Sequence, residues 1–138
     1  MPIGIIVTAK VEGLDIFSKY IEKYGEDAVA GMSMAMYQEA EKIITSAKQL
    51  TPVNTGALHD SGLAQFPDHE GTALKQELGF GGVAAPYAIY VHEDMTANHV
   101  VGQAKFLEIP FREAQVGLAE RLIRTMRGYL ARNGYGTS

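Results

Sequence analysis

His92-Glu93-Asp94 and His99 put two imidazoles and two carboxylates within eight residues, the one stretch of the chain with the donor types to hold a divalent ion. The spacing is unfavourable. HExxH sets two histidines on successive turns of a helix, whereas here that arrangement and a third helix-borne ligand are both missing, which leaves a polar loop or an intersubunit contact as the competing reading. His59-Asp60-Ser61 gathers the residue types of a hydrolase triad, yet triads are assembled from distant segments, and the GxSxG elbow is absent. Three such neighbours describe a turn entering a strand. Gly79-Phe80-Gly81-Gly82 lacks the Lys-Ser/Thr ending and the long following helix of a phosphate loop, and reads as a corner. Arg121, Arg124 and Arg127, three residues apart, could meet phosphates as a row. With Glu120 available to Arg124 at i, i+4, the row reads instead as the solvated side of a helix. No catalytic, metal-binding or cofactor-binding residue is assigned from these patterns, and no cofactor is expected.

The elements that would position these residues follow from periodicity. Ile3, Ile5, Val7, Ala9 and Val11 alternate with Gly4, Ile6, Thr8, Lys10 and Glu12, the period of a strand covered on one face. Leu14 to Tyr24 reads as a short helix that Gly25 ends. From Glu26 a long helix places Val29, Met32, Met36, Ala40, Ile43, Ile44, Ala47 and Leu50 within one arc about 120° wide, with Gln38, Glu41, Lys42, Thr45, Lys48 and Gln49 opposite. Such a helix lies on a sheet with one side wet. Met34 falls on its polar side, as an interface residue or an exposed methionine.

Pro52 stops that helix, because proline drives Thr51 out of helical dihedrals and offers no amide hydrogen. Asn54 and Thr55 can fold back onto nearby amides, and Gly56 tolerates positive φ. Gly62 to Phe66 and Ala73 to Phe80 are expected as two strands joined by the polar connector Pro67-Asp68-His69-Glu70-Gly71. Tyr87 to Val91 reads as a short helix begun by Pro86 or as a strand, and residues 94–104 as a loop. Pro110 is expected to open a last helix with Ala114, Leu118, Leu122, Met126 and Tyr129 buried, Ala119 and Ile123 widening the stripe, and Glu113, Glu120, Arg121, Arg124 and Arg127 facing out. The domain expectation is a single α+β domain over residues 1–132, followed by a flexible tail over 133–138.

The totals narrow the function classes. A chain of 138 residues fits one domain with one real core. Zero cysteines remove disulfides, thiolate zinc sites and cysteine nucleophiles together. No apolar run has the length to cross a bilayer, and the start Met1-Pro2-Ile3-Gly4 lacks a basic leader, so a soluble, cytoplasmically made protein without membrane contact is expected. The net charge of −4 argues against an obligate nucleic-acid binder. Its placement is uneven: residues 1–99 carry 6 Lys against 13 Asp or Glu, net −7, and residues 100–138 carry 6 Lys or Arg against 3 Glu, net +3. Head-to-tail contact between copies, a charged partner, or a solvated surface would each produce that split.

Three pieces taken together, the helix ending in Ala47-Lys48 with Thr51-Pro52-Val53-Asn54-Thr55-Gly56-Ala57-Leu58, then Tyr87-Ala88-Ile89-Tyr90-Val91-His92-Glu93, then Gly102-Gln103-Ala104-Lys105-Phe106-Leu107-Glu108-Ile109-Pro110, resemble the tail-completion, or neck, protein family of long-tailed bacteriophages. That family's pattern runs helix, "PVDTGAL", strands, "YAxYVE", a loop, "K-P/A-F-L-x-P" and a closing helix, and order and spacing match over nearly the whole chain. Asn54 stands where the family has Asp, which keeps the turn chemistry; His92-Glu93-Asp94 departs from the commoner "E-x-G-T". The resemblance implies an α+β subunit whose long helix lies across a small antiparallel sheet with a C-terminal helix. It implies a non-enzymatic virion protein that forms a ring at the head-to-tail junction and joins the head connector to the tail. Its partners would be sibling copies, connector or adaptor and tail proteins, with DNA passing in the lumen; its locations would be the virion neck and, during assembly, the host cytoplasm. The positions carried over as an assembly surface are Pro52, Asn54, Thr55, Gly56, Leu58, Tyr87, Tyr90, His92, Glu93, Lys105 and Phe106.

Two alternatives stand beside it. One is a small metal-dependent or nucleic-acid-processing enzyme using His92, Glu93, Asp94 and His99, which would bind metal stoichiometrically. The other is a minor capsid, tail-terminator or baseplate component, because each station would use the same kind of subunit.

Overall fold

Gly25 divides the first helical stretch in two. At φ 61° it adopts a conformation that side chains resist, closing α1 (Asp15–Tyr24) through its amide to the Ile21 carbonyl at 2.7 Å and turning the chain into α2 (Glu26–Leu50). Glu26 and Asp27 then occupy the first turn of α2, where carboxylates complement the helix dipole. This computed structural model describes residues 4–11, 15–51, 56–70, 73–81 and 106–135.

The periodic stripe of α2 is its buried face. Val29, Met32, Met36, Ala40, Ile43, Ile44 and Ala47 are all buried, and Leu50 packs half-buried at the end. The helix serves two apolar clusters. Its N-terminal half packs with Phe17 of α1, Leu74 of the sheet, and Leu122, Met126 and Leu130 of the last helix. Its C-terminal half packs with Leu58, Ala64, Leu78, Phe80, Phe106 and Leu107. No helix among the described residues is long and apolar enough to cross a membrane.

The sheet is antiparallel around a central strand, β4 (Ala73–Gly81), whose Leu74, Gln76, Leu78 and Phe80 are buried while Lys75 and Glu77 are exposed. β1 (Gly4–Val11) pairs along its whole length, from Gly4 opposite Gly81 to Val11 opposite Leu74. The other side of β4 carries β2 (Leu63–Ala64) and β3 (Asp68–Glu70). Here the expected connector is corrected. Asp68, His69 and Glu70 are not a loop but a paired strand opposite Lys75, Leu74 and Ala73. Leu63 opposes Gly79 and Ala64 opposes Leu78, whereas Asp68 opposes Lys75, so the edge holds one residue more than β4 between the two pairings. The extra residue is a β-bulge at Phe66-Pro67, where proline has no ladder hydrogen to lose. Gln76, buried opposite the bulge, donates its side-chain amide to the Gln65 carbonyl at 2.8 Å and so satisfies a group the interrupted ladder leaves open.

The C-terminal region also differs from expectation. A single helix is expected from Pro110, but there are two: α4 (Glu108–Ala114), with Pro110 in its first turn where no amide is required, and α5 (Leu118–Arg132). Gly117, at φ 70°, makes the break. After the break the buried stripe is Leu122, Ile123, Met126 and Leu130; Tyr129 is only half-buried and Ala119 is exposed. Where α5 crosses α2, a Cβ on Gly31 would lie 3.1 Å from Met126 Cγ and Tyr129 Cδ1, so glycine sets how closely the two helices approach.

Residues from the segment read as tail are docked. Gly134, at φ 94°, lets its own amide reach the Ala131 carbonyl and the Tyr135 amide reach the Leu130 carbonyl at 3.0 Å, a Schellman ending that folds Tyr135 back along α5. Its hydroxyl donates to the Asp27 carboxylate and its ring meets Tyr24 edge-on at 4.9 Å.

Candidate assembly surface

Thr51, fully buried, ends α2: its hydroxyl donates to the Lys48 carbonyl at 2.8 Å and its backbone is extended, at ψ 141°, as a residue before proline should be. Beyond residue 55, Gly56, at φ 82°, starts the short helix α3 (Ala57–Asp60). Leu58 of α3 enters the core beside Ile43, Ile44 and Ala47. Ser61 completes the corner, since its hydroxyl donates to the Leu58 carbonyl at 2.7 Å and accepts the Gly81 amide at 2.9 Å. The chain after α2 is thereby pinned to the end of β4.

Of the positions carried over as an assembly surface, Pro52, Asn54, Thr55, Tyr87, Tyr90, His92, Glu93 and Lys105 lie outside the described residues, as do Asp94 and His99 of the candidate metal cluster. Gly56 is half-exposed. Leu58 and Phe106 are corrected: both are buried in the subunit core, with Phe106 packed edge-on against Phe80 at 5.1 Å between ring centres. Their side chains anchor the segments around them to that core. His59 and Asp60 do pair, Nδ1 to Oδ1 at 3.1 Å on the surface, but Ser61 points its hydroxyl to backbone partners, so the three do not form a relay. Among the described residues no three His, Cys, Asp or Glu side chains converge as a metal site.

Arg121 departs most from its expected place. Its Nε and Nη2 reach one carboxylate oxygen of Glu39 at 3.0 and 2.9 Å, and Glu39 on α2 is only 8% exposed. Its Nη1 donates to the Val116 carbonyl at 2.6 Å and its Nη2 to the Ala114 carbonyl. The guanidinium thus takes up the carbonyls left open where α4 ends and fastens the α4–α5 break to the long helix. Lys42 approaches the other Glu39 oxygen at 3.4 Å. Glu113, Pro110 and Ser46 complete the open cleft, of about 310 Å³, around this pair.

Two further surfaces were not singled out from the sequence. On the bulged edge, Phe66 is 56% exposed and its ring lies 5.7 Å from that of Tyr37 on α2. The charge of Glu41, one turn on, raises the Tyr37 hydroxyl pKa, with desolvation and a hydrogen bond to the same carboxylate adding to it. Elsewhere on the surface, Ile16 of α1, 47% exposed, forms a groove with Ala119 and Ile123 of α5, rimmed by Glu120, Arg124 and Arg127. Arg127 donates its Nε to the Tyr20 hydroxyl at 2.6 Å and lies over that ring at 5.7 Å, which ties the two groove walls together. The exposed Phe66 just before Pro67 and the Ile16 beside Phe17 were the available signals. Single apolar residues off the main stripe are too common on surfaces to be diagnostic.

No protein-family model, no curated protein and no solved structure matches this chain. What stands on geometry is an α+β fold: a small antiparallel sheet covered on one face by a long helix that also carries the C-terminal helix.

Proposed function

We propose that this chain is a non-enzymatic structural protein of a tailed bacteriophage particle, acting at the head-tail junction as a neck or tail-completion component and assembling as a ring that joins the head connector to the tail. The observation that carries the reading is the corner between Thr51 and Ser61. The segment that most resembles the family turn joins the long helix to the sheet, with its described ends anchored in the core by Thr51 and Leu58 and latched to β4 by Ser61. Anchors of this kind hold the long helix and the sheet in a fixed relation, which suits a subunit that docks to neighbours. The α+β architecture is the one expected of such a subunit, and the uneven charge of the chain suits contacts between unlike surfaces, the kind that build rings. Single-particle electron microscopy of the purified protein tests this. Closed rings of one stoichiometry support it, and a protein that remains monomeric at all concentrations counts against it.

A further inference from the structure

The exposed apolar residues Ile16 and Phe66 lie in neighbourhoods of opposite charge. Around Ile16, the groove between α1 and α5 has an apolar floor completed by Ala119 and Ile123, a volume of about 390 Å³, and Arg124 and Arg127 on its rim; Glu120 is the one carboxylate there. Around Phe66, Tyr37 gives a second ring, Glu41 lies beside that tyrosine, and Asp68 and Glu70 are exposed further along the same edge; the exposed Lys75, opposite Asp68, offsets one of these three carboxylates. Arg121 is committed internally to Glu39 and two carbonyls, so the outward cations of α5 beside the groove are a pair and not a phosphate-tracking row of three.

We infer that the groove of one copy receives the Phe66 edge of the next, with an aromatic side chain seated between Ile16 and Ile123 while Arg124 and Arg127 face the carboxylates that flank it. The proposal rests on the ring reading above and names the contact that would build it. Charge complementarity selects the occupant: the cations belong to residues 100–138, net +3, and the carboxylates to residues 1–99, net −7. The edge itself selects the mode. The bulge, Pro67, and the charges on β3 oppose the backbone-to-backbone pairing of two sheet edges, which leaves insertion of a side chain. Groove and edge share no residue, and where one copy's groove takes the next copy's edge without the contact being returned it is heterologous and closes into a ring when the rotation between copies divides a circle.

Mass photometry and sedimentation velocity of the full chain test it with Phe66→Ser and Arg124→Glu, two exposed positions, each checked for a native circular dichroism spectrum. The wild type is expected to form higher oligomers and each variant to lose roughly tenfold or more in association constant. Mixed together, the two variants should pair and stop at two copies, because the intact edge of Arg124→Glu meets the intact groove of Phe66→Ser. Either folded variant assembling like the wild type, or a mixture that fails to pair, overturns the groove-and-edge contact and leaves the ring reading standing. A wild type that never associates overturns both. Arg124→Glu losing affinity for a short DNA duplex while its assembly is unchanged overturns the proposal and assigns the groove to nucleic acid.

Discussion

Replacing Arg121 by Met should destabilise the subunit far more than a change on a solvated helix side would. The substitution keeps an unbranched aliphatic stem and helix propensity but leaves the Glu39 carboxylate buried with, among the described residues, only Lys42, 3.4 Å away and itself exposed, and strips the Ala114 and Val116 carbonyls of their donor. Breaking a buried pair from one side costs about 3–5 kcal/mol. Arg121 is 34% exposed, and water can reach part of what it vacates, so the loss should fall near about 2–3 kcal/mol. For a domain of this size that corresponds to a melting temperature lower by roughly 6–15 °C. Urea unfolding followed by circular dichroism measures it directly. The double variant Arg121→Met with Glu39→Met should recover more than half of the loss, since no buried charge remains to be compensated. An Arg121→Met protein within about 0.5 kcal/mol of wild type, the usual range for surface substitutions, would refute the pairing and restore Arg121 to the solvated row.

Gly62→Ala should cost about 1–3 kcal/mol by overpacking, because a Cβ there would sit 2.6 Å from Phe80 Cε2 and 2.9 Å from Lys48 Cε, and Phe80 is held against Phe106; thermal unfolding of the variant reads this out. Tyr135 should give the fold an alkaline limb: the Asp27 hydrogen bond and charge raise its hydroxyl pKa above the ordinary tyrosine value, so the stabilisation is complete below that ordinary value and is lost as pH rises through the folded-state pKa. Melting temperature against pH for wild type and Tyr135→Phe should therefore differ at about pH 8 and converge in strong alkali, and parallel curves would exclude the contact.

How much of this was readable in advance depended on whether a pattern was carried by one element or by two. α2 was legible because its apolar stripe repeats over the entire helix and both ends are marked, by Gly25 and by Thr51-Pro52. The paired strand Asp68–Glu70 was not, because all three side chains are exposed and strand alternation needs one buried face to be visible. The break at Gly117 was hidden by phase: Ala114 and Leu118 are four apart, as an uninterrupted helix would have them, and a lone glycine is a weak stop. Arg121 looked solvated because its partner Glu39 lies 82 residues earlier, on a helix whose packing against α5 no local window contains. For Tyr135 the sequence does hold a signal, the Asn133-Gly134 ending that returns the following residue to its own helix. Leu58 and Phe106 were assigned to a surface because motif segments were carried over as blocks, whereas each segment also contains the apolar anchor that holds it down.

Localisation on the particle tests the central claim most directly. Gold-labelled antibody against the chain, imaged by electron microscopy on tailed particles from cells that produce it, should mark the joint between head and tail, at one site per particle. Label found elsewhere on the particle would move the protein to another station, and its absence from purified particles would contradict the account.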